Sequence, residues 1–271
     1  MRAAVTLAAL ALAACGSPPK PQSPPQAAVQ AAQLAGQRAL ARGDLAGAQA
    51  AFGRALVAAE SVEDFDGIAT ARLNLAAVHA RAGRPAEAEA ELDHVLDTAQ
   101  RTPVPLLQQA AARKALVALD AGRNADALAW ADRAQEGCAA PCAVAPAMDN
   151  VRAAVALQQG EAARAASLAA HAAAAATGAE HANALRLQGR ALTKAGDTTG
   201  AAALLAQALA EDRALGLPER IALDLIHAAE NEERRGQIAA SRDFYERALQ
   251  VSRAAGLATL AERAAARLAA R

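Results

Sequence analysis

Small and apolar residues recur along the chain at fixed distances from six glycines. The glycines are 40, 39, 38, 36 and 40 residues apart, and they are Gly43, Gly83, Gly122, Gly160, Gly196 and Gly236. Five residues after each glycine the side chain is small, namely Ala48, Ala88, Ala127, Ala165, Ala201 and Ser241. Further apolar positions follow at offsets of nine and twelve residues. Because these offsets differ by four and three, they lie on one face of a helix, and the pattern predicts an amphipathic helix after each glycine.

Each glycine is expected to end a preceding helix, because helices often stop at a left-handed residue and glycine adopts that conformation without steric cost. Asp44 and Asp197 directly follow such glycines and can cap the next helix, while Pro85 fits a first helical turn. In the third and fourth units the larger apolar residue comes one place early, at Trp130 and Leu168. We therefore predict an all-α chain in which a helical hairpin is repeated six times.

Two of the units resemble the tetratricopeptide repeat (TPR). GDLAGAQAAFGRAL (43–56) and GQIAASRDFYERAL (236–249) are similar to the second helix of that repeat. Gly36 and Gly189 stand where the first helix of the family has a small residue. The units are longer than the 34 residues of the family, and the third and fourth match weakly, so a six-hairpin solenoid of another repeat family stays open.

The resemblance covers about residues 29–256. It implies a right-handed α-solenoid of about six antiparallel hairpins, in which the first helices line a concave groove that binds peptides. Residues 257–271 are expected to form a C-terminal capping helix. The solenoid domain is therefore predicted to span residues 29–271.

The N-terminus has the pattern of a secretory signal. Arg2 precedes an apolar stretch, Ala3–Ala14. A membrane-spanning helix needs about 20 apolar residues, so this stretch is too short to span. Residues 1–14 are therefore predicted to be a cleaved signal peptide. Residues 12–15, LAAC, resemble a bacterial lipobox. The resemblance implies cleavage before Cys15 and acylation of this residue. An ordinary signal peptide followed by an unrelated cysteine is the alternative.

The resemblance to lipoproteins also implies a location. Gly16 follows the cysteine in place of the aspartate that retains such proteins at the inner membrane, so we expect a lipid-anchored protein of the Gram-negative outer membrane that faces the periplasm. The sequence GSPPKPQSPPQ comes next, and proline favours an extended spacer. Residues 15–28 are therefore predicted to tether the solenoid to the membrane.

Charge and motifs argue against several function classes. Lys and Arg total 28, as do Asp and Glu, and a chain of zero net charge lacks the basic surface of a nucleic-acid binder. The common hydrolase, metalloprotease and nucleotide-binding motifs are missing, so we expect neither an enzyme nor a cofactor. The five histidines are scattered and DFDG (64–67) lacks the later ligands of a calcium loop, so no metal is expected.

Cys138 and Cys142 are separated by three residues in EGCAAPCAVAP. If Cys15 is acylated, these two remain, and an even number of cysteines in an oxidising compartment favours a disulfide. Redox activity or metal binding is the alternative, although no histidine lies near in sequence to complete a copper site.

The glycine register places several polar residues on the groove side of first helices. The candidate partner-binding residues are Asn150, Asn183, Arg186, Arg190 and Lys194. The last three are spaced by four and form one stripe, and arginine can hold a partner carboxylate with two hydrogen bonds. The lysine and asparagine pair that holds chaperone C-termini in some relatives is missing.

A solvated helix face is the alternative for this stripe, with its charges partly paired to Glu230 and Glu233 of the next unit. The sequence as a whole predicts an adaptor that holds one or more periplasmic or envelope proteins near the outer membrane, in envelope assembly, secretion or pilus assembly. A solenoid that senses a peptide or other ligand and has a regulatory role is the other function that the pattern allows.

Overall fold

The computed structural model describes residues 23–270, and in this part of the chain thirteen α-helices follow one another. They are α1 (Pro24–Ala41), α2 (Leu45–Glu60), α3 (Phe65–Arg81), α4 (Pro85–Asp97), α5 (Val104–Asp120), α6 (Asn124–Gln135), α7 (Ala145–Gln158), α8 (Ala162–Ala175), α9 (Gly178–Ala195), α10 (Thr198–Ala214), α11 (Pro218–Arg234), α12 (Ile238–Ala254) and α13 (Ala258–Ala269). Each helix packs on the next, so the first twelve form six hairpins and α13 covers the end of the last one. The predicted all-α architecture is confirmed.

The turn inside each hairpin is built as the sequence indicates. All six repeat glycines have a left-handed φ, between +70° and +96°. The carboxylates of Asp44 and Asp197 accept hydrogen bonds from backbone N–H groups three residues later, at 2.8 and 2.9 Å. Asp64 caps α3 in the same way, so DFDG is a helix start. These caps satisfy N–H groups that a helix leaves unpaired at its beginning.

The positions five residues after the glycines form the contact between the two helices of a hairpin. All six of these small side chains are completely buried. At offset nine, Phe52, Leu92 and Tyr245 are also 0% exposed and provide the large side chains of their units. The predicted helix face is therefore the buried face.

In the third and fourth units, the buried residue at offset nine is an alanine and not a large side chain. Trp130 and Leu168 are only partly buried, whereas Ala131 and Ala169, at the regular offset, are completely buried. In the third unit the missing volume is supplied by the next helix, because Met148 and its neighbours on α7 pack on the alanines of α6. The offset of nine is thus kept, and the larger side chain comes from another helix.

The first helix begins earlier than the expected domain boundary at residue 29. Pro24 and Pro25 occupy its first two positions, where a missing N–H costs no hydrogen bond, and the N–H of Ser23 donates to Oε1 of Gln26 at 3.1 Å. The end of the proline-rich segment is therefore helical. The signal peptide and Cys15 lie outside the described residues.

A close approach within the first hairpin leads to a matched pair of stability predictions. A Cβ on Gly36 would lie 2.4 Å from Cε1 of Phe52, whereas a Cβ on Gly53 would meet nothing within 4 Å. We expect Gly53→Ala to stabilise the protein by about 0.5–1 kcal/mol, since alanine is the better helix former. Gly36→Ala is expected to destabilise it by about 1–3 kcal/mol, because overpacking outweighs the same gain. Urea denaturation followed by circular dichroism measures both, and a gain from Gly36→Ala would contradict the close packing.

Candidate functional site

The first helices of the hairpins form one layer and the second helices form another. Each first helix contacts the first helix of the next hairpin, from α1 to α13, whereas within residues 23–270 no second helix contacts the next second helix. Neighbouring elements lie closest on the inside of a curved stack, so the layer of first helices is the concave side. Residues of α7, α9, α11 and α13 on this side are therefore candidates for binding a partner.

Arg186 does not lie on the concave surface as the sequence indicated. Its side chain is buried, and Nη1 donates to Asp212 at 3.0 Å and to Asp224 at 3.1 Å. Both carboxylates are 0% exposed. Arg186 thus joins α9 to α10 and α11 inside the protein, and the prediction that it holds a partner carboxylate is wrong because carboxylates of its own chain occupy it.

The two candidate asparagines are also engaged within the chain. Asn183 accepts a hydrogen bond from Nη2 of Arg186 at 3.0 Å, and it is half-buried. Asn150 is buried, and its Nδ2 donates to the carbonyl oxygen and to Oε2 of Glu180, at 3.1 and 3.2 Å. Asn150 therefore ties α7 to the beginning of α9, and it is removed from the surface that a partner could reach.

Arg190 and Lys194 do face the concave side. Both line a cavity of about 460 Å³ that extends across the three first helices α9, α11 and α13. Lys194 is exposed at its edge, and its Nζ donates to the carbonyl oxygen of Leu157 at 2.8 Å. Arg190 is half-buried, and burial lowers the pKa of its guanidinium. The accessible part of the predicted stripe is thus Arg190 and Lys194 on α9, which share a cavity with residues of α11 and α13.

The acidic residues of this cavity are paired with α13 and not with α9. Glu230 contacts Arg263 at 2.6 Å, and Glu233 forms an ion pair with Arg267. Of the alternative in which these two carboxylates partly pair with the α9 stripe, only an attraction between Glu230 and Arg190 remains, because both close ion pairs are formed with α13. The sequence interpretation missed both arginines because it treated 257–271 only as a cap, although their spacing of four residues places them on one helix face.

A buried histidine helps to fix Glu230. Nδ1 of His227 lies 2.9 Å from Oε2 of Glu230, and burial lowers the pKa of His227 to about 4, so this histidine is neutral at neutral pH. Burial acts to raise the pKa of Glu230, but the hydrogen bonds with His227 and Arg263 outweigh it and bring this pKa to about 2. Glu230 is therefore ionised and held between its two neighbours.

Cys138 and Cys142 form a disulfide in the loop between α6 and α7, with their Cα atoms 5.5 Å apart. The bond closes a short connection and lies outside the cavity described above. Across residues 23–270, no group of three or more histidine, cysteine and acidic side chains is arranged to hold a metal ion. None of the helices in the described part combines the length and the apolar character needed to span a bilayer.

No family model matches the sequence, and no curated protein matches it. Solved structures resemble the fold. A chain of the APC/C Cut9–Hcn1 hetero-tetramer has a TM-score of 0.67 at 14% identity. The match covers 87% of the present protein and 42% of that APC/C chain. A Rap protein complexed with competence and sporulation factor has a TM-score of 0.65 at 13% identity, covering 89% and 70% of the two chains. PilF of Pseudomonas aeruginosa has a TM-score of 0.56 at 14% identity, covering 90% and 100%. The fold is therefore a TPR-like α-solenoid.

Proposed function

We propose that this chain is a non-catalytic scaffold of the cell envelope that binds a segment of one or more periplasmic or envelope proteins on its concave layer. The observation that carries the proposal is the cavity of about 460 Å³ across α9, α11 and α13, because it lies on the concave layer, where consecutive first helices contact each other. The Rap protein, a solenoid of similar fold, is complexed with competence and sporulation factor. A stack of hairpins also presents one extended surface, which suits an extended partner.

The second half of the proposal concerns location. The lipobox-like residues LAAC, 12–15, support a lipid on Cys15 that holds the chain at the outer membrane, facing the periplasm. Two or more acyl chains anchor a protein stably, since each buried CH₂ contributes about 0.8 kcal/mol. Residues 16–22 then leave a short connection between this anchor and Ser23, which caps α1. A partner bound by the solenoid is thereby kept close to the membrane.

The proposal is tested in the cell that makes the protein. A photo-crosslinking amino acid is placed at Lys194 in the cavity or at Gln37, which is exposed on α1 one turn after Gln33, the residue that contacts Asn74 of the next first helix. The third position is Val57, which is 67% exposed on the second helix α2. We expect the same envelope protein to be crosslinked from the two concave positions and not from Val57. Metabolic labelling with palmitate is expected to mark the chain and to be lost in Cys15→Ala, which should also leave the membrane fraction.

Each half of the proposal has its own contrary outcome. Crosslinking from Val57 alone, or from neither concave position, would remove the concave layer as the binding surface. A Cys15→Ala chain that remains labelled and bound to the membrane would remove the lipid anchor.

A further inference from the structure

The cavity on α9, α11 and α13 carries an excess of positive charge. Two carboxylates line it, those of Glu230 and Glu233, against five basic side chains, which are Arg190, Lys194, Arg234, Arg263 and Arg267. Three positive charges are therefore left without a negative charge in the wall of the cavity. The chain as a whole has zero net charge, so this excess is a local property of the site.

The ion pairs of the cavity identify which cations are left over. Arg263 and Arg267 are taken by Glu230 and Glu233, and Nε of Arg267 also donates to the hydroxyl of Tyr245 at 3.1 Å. These contacts fix α13 against α11 and pair each of the two carboxylates with an arginine of α13. The two arginines of α13 are thus structural parts of the wall, and the remaining charge belongs to Arg190, Lys194 and Arg234.

Arg190 is the most informative of the three remaining cations. Its half-buried guanidinium makes no ion pair with any side chain in residues 23–270, in contrast to Arg186 one turn earlier. Lys194 donates to a backbone carbonyl, which leaves its charge unbalanced, and Arg234 is exposed at the mouth of the cavity. Glu230 attracts the guanidinium of Arg190 but forms no ion pair with it. A partly buried cation that makes no ion pair gains more from an incoming anion than a solvated one does, because water screens it less.

We propose that this cavity binds a carboxylate side chain of an acidic peptide segment, with Arg190 as the principal donor and Lys194 and Arg234 as flanking charges. The inference rests on the proposed function, since it states the chemistry of the segment that the scaffold binds. A peptide fits better than a compact anion, because the cavity measures about 460 Å³ and is lined by α9, α11 and α13, the first helices of the last two hairpins and the capping helix. The planar guanidinium of Arg190 can donate two parallel hydrogen bonds to one carboxylate.

The test uses the full-length chain and three fluorescent peptides of equal length, built from Glu-Ala-Gly, Gln-Ala-Gly or Lys-Ala-Gly repeats. Fluorescence anisotropy is expected to show that the glutamate peptide binds about ten- to a hundredfold more tightly than the glutamine peptide, the range of a charge-assisted hydrogen bond. This preference should weaken as salt is added. Arg190→Gln and Lys194→Gln should each reduce it, and Arg253→Gln, an exposed arginine on the second helix α12, should leave it unchanged.

Equal binding of the glutamate and glutamine peptides would overturn the proposal. An unchanged preference for the glutamate peptide in Arg190→Gln and Lys194→Gln, with folding verified by circular dichroism, would also overturn it. Tighter binding to vesicles of anionic lipid than to the glutamate peptide would overturn it in favour of a membrane ligand. Crosslinking of a partner from Gln37 without any preference for the glutamate peptide would leave the scaffold function and remove only this inference. A glutamate preference without a crosslinked partner would support the anion site and contradict the scaffold.

Discussion

Replacing Arg186 with methionine is expected to lower the free energy of unfolding by about 3–5 kcal/mol at neutral pH. Nη1 of Arg186 contacts both Asp212 and Asp224, at 3.0 and 3.1 Å, and neither carboxylate is exposed to water. One oxygen of each carboxylate already lacks a hydrogen-bond partner within the described residues. Without the guanidinium, the buried negative charge of this carboxyl pair would lose the cation that both groups contact, so α9, α10 and α11 would separate more easily.

Urea denaturation measures this loss, and an exposed arginine provides the matched control. Arg242 pairs with Glu246 on the surface of α12 at 3.0 Å, so Arg242→Met is expected to cost at most about 0.5 kcal/mol. Adding Asp212→Asn and Asp224→Asn to the Arg186→Met chain should restore part of the stability, since amides carry no charge into the interior. Equal, small losses from the two arginine variants would show that the buried network is not needed for the fold.

The second large effect is a pH dependence located at Asp224. Burial raises the pKa of Asp224 to about 7, against the attraction of Arg186, and the neighbouring carboxylate of Asp212 raises it further. The charge of Arg220 also acts to lower it. In the unfolded chain an aspartate has a pKa of about 3.9. The folded state therefore keeps a proton here that the unfolded state has already released over this pH interval.

The sign of the effect follows from that difference. The stability that this carboxyl group contributes is complete below about pH 4 and is lost as the pH rises through about 7, so wild type should lose up to about 4 kcal/mol relative to Asp224→Asn over this range. Glu230 acts in the opposite sense. Its pKa of about 2 lies below the usual value of a glutamate, so the stability that it contributes is present at neutral pH and is lost as the pH falls towards 2. Comparing wild type with the variant at each pH cancels that second contribution.

Urea midpoints of wild type and Asp224→Asn, measured between about pH 4 and pH 8, test the prediction. Hydrogen exchange of α9 to α11 locates the effect, since stability in a repeat protein is local. Asp243→Asn is the control, because this carboxylate is 63% exposed in a surface pair with Arg247. A constant difference between wild type and Asp224→Asn across the range would mean that Asp224 is ionised in the folded protein at every pH tested.

The candidate site was predicted only in part, and Arg186 and Arg190 show why. Both lie on one helical stripe of α9, and the sequence treats them alike. Arg186 forms ion pairs with two aspartates that are 26 and 38 residues further along the chain. Within the described residues Arg190 forms no ion pair and is only attracted by Glu230 from across the cavity. How three helices cross decides which arginine is buried in ion pairs within the protein. The periodicity of one helix contains no information about that crossing.

The sequence by itself determined the repeat. The six glycines set the turns, the residues five, nine and twelve positions later set the buried face, and Asp44 and Asp197 set helix starts, because each of these features depends on contacts within one turn or one hairpin. The tertiary structure alone decided which charges are buried, which are paired with α13, and where the concave cavity lies. Those outcomes depend on the distances between successive hairpins, so residues far apart in sequence fix them together.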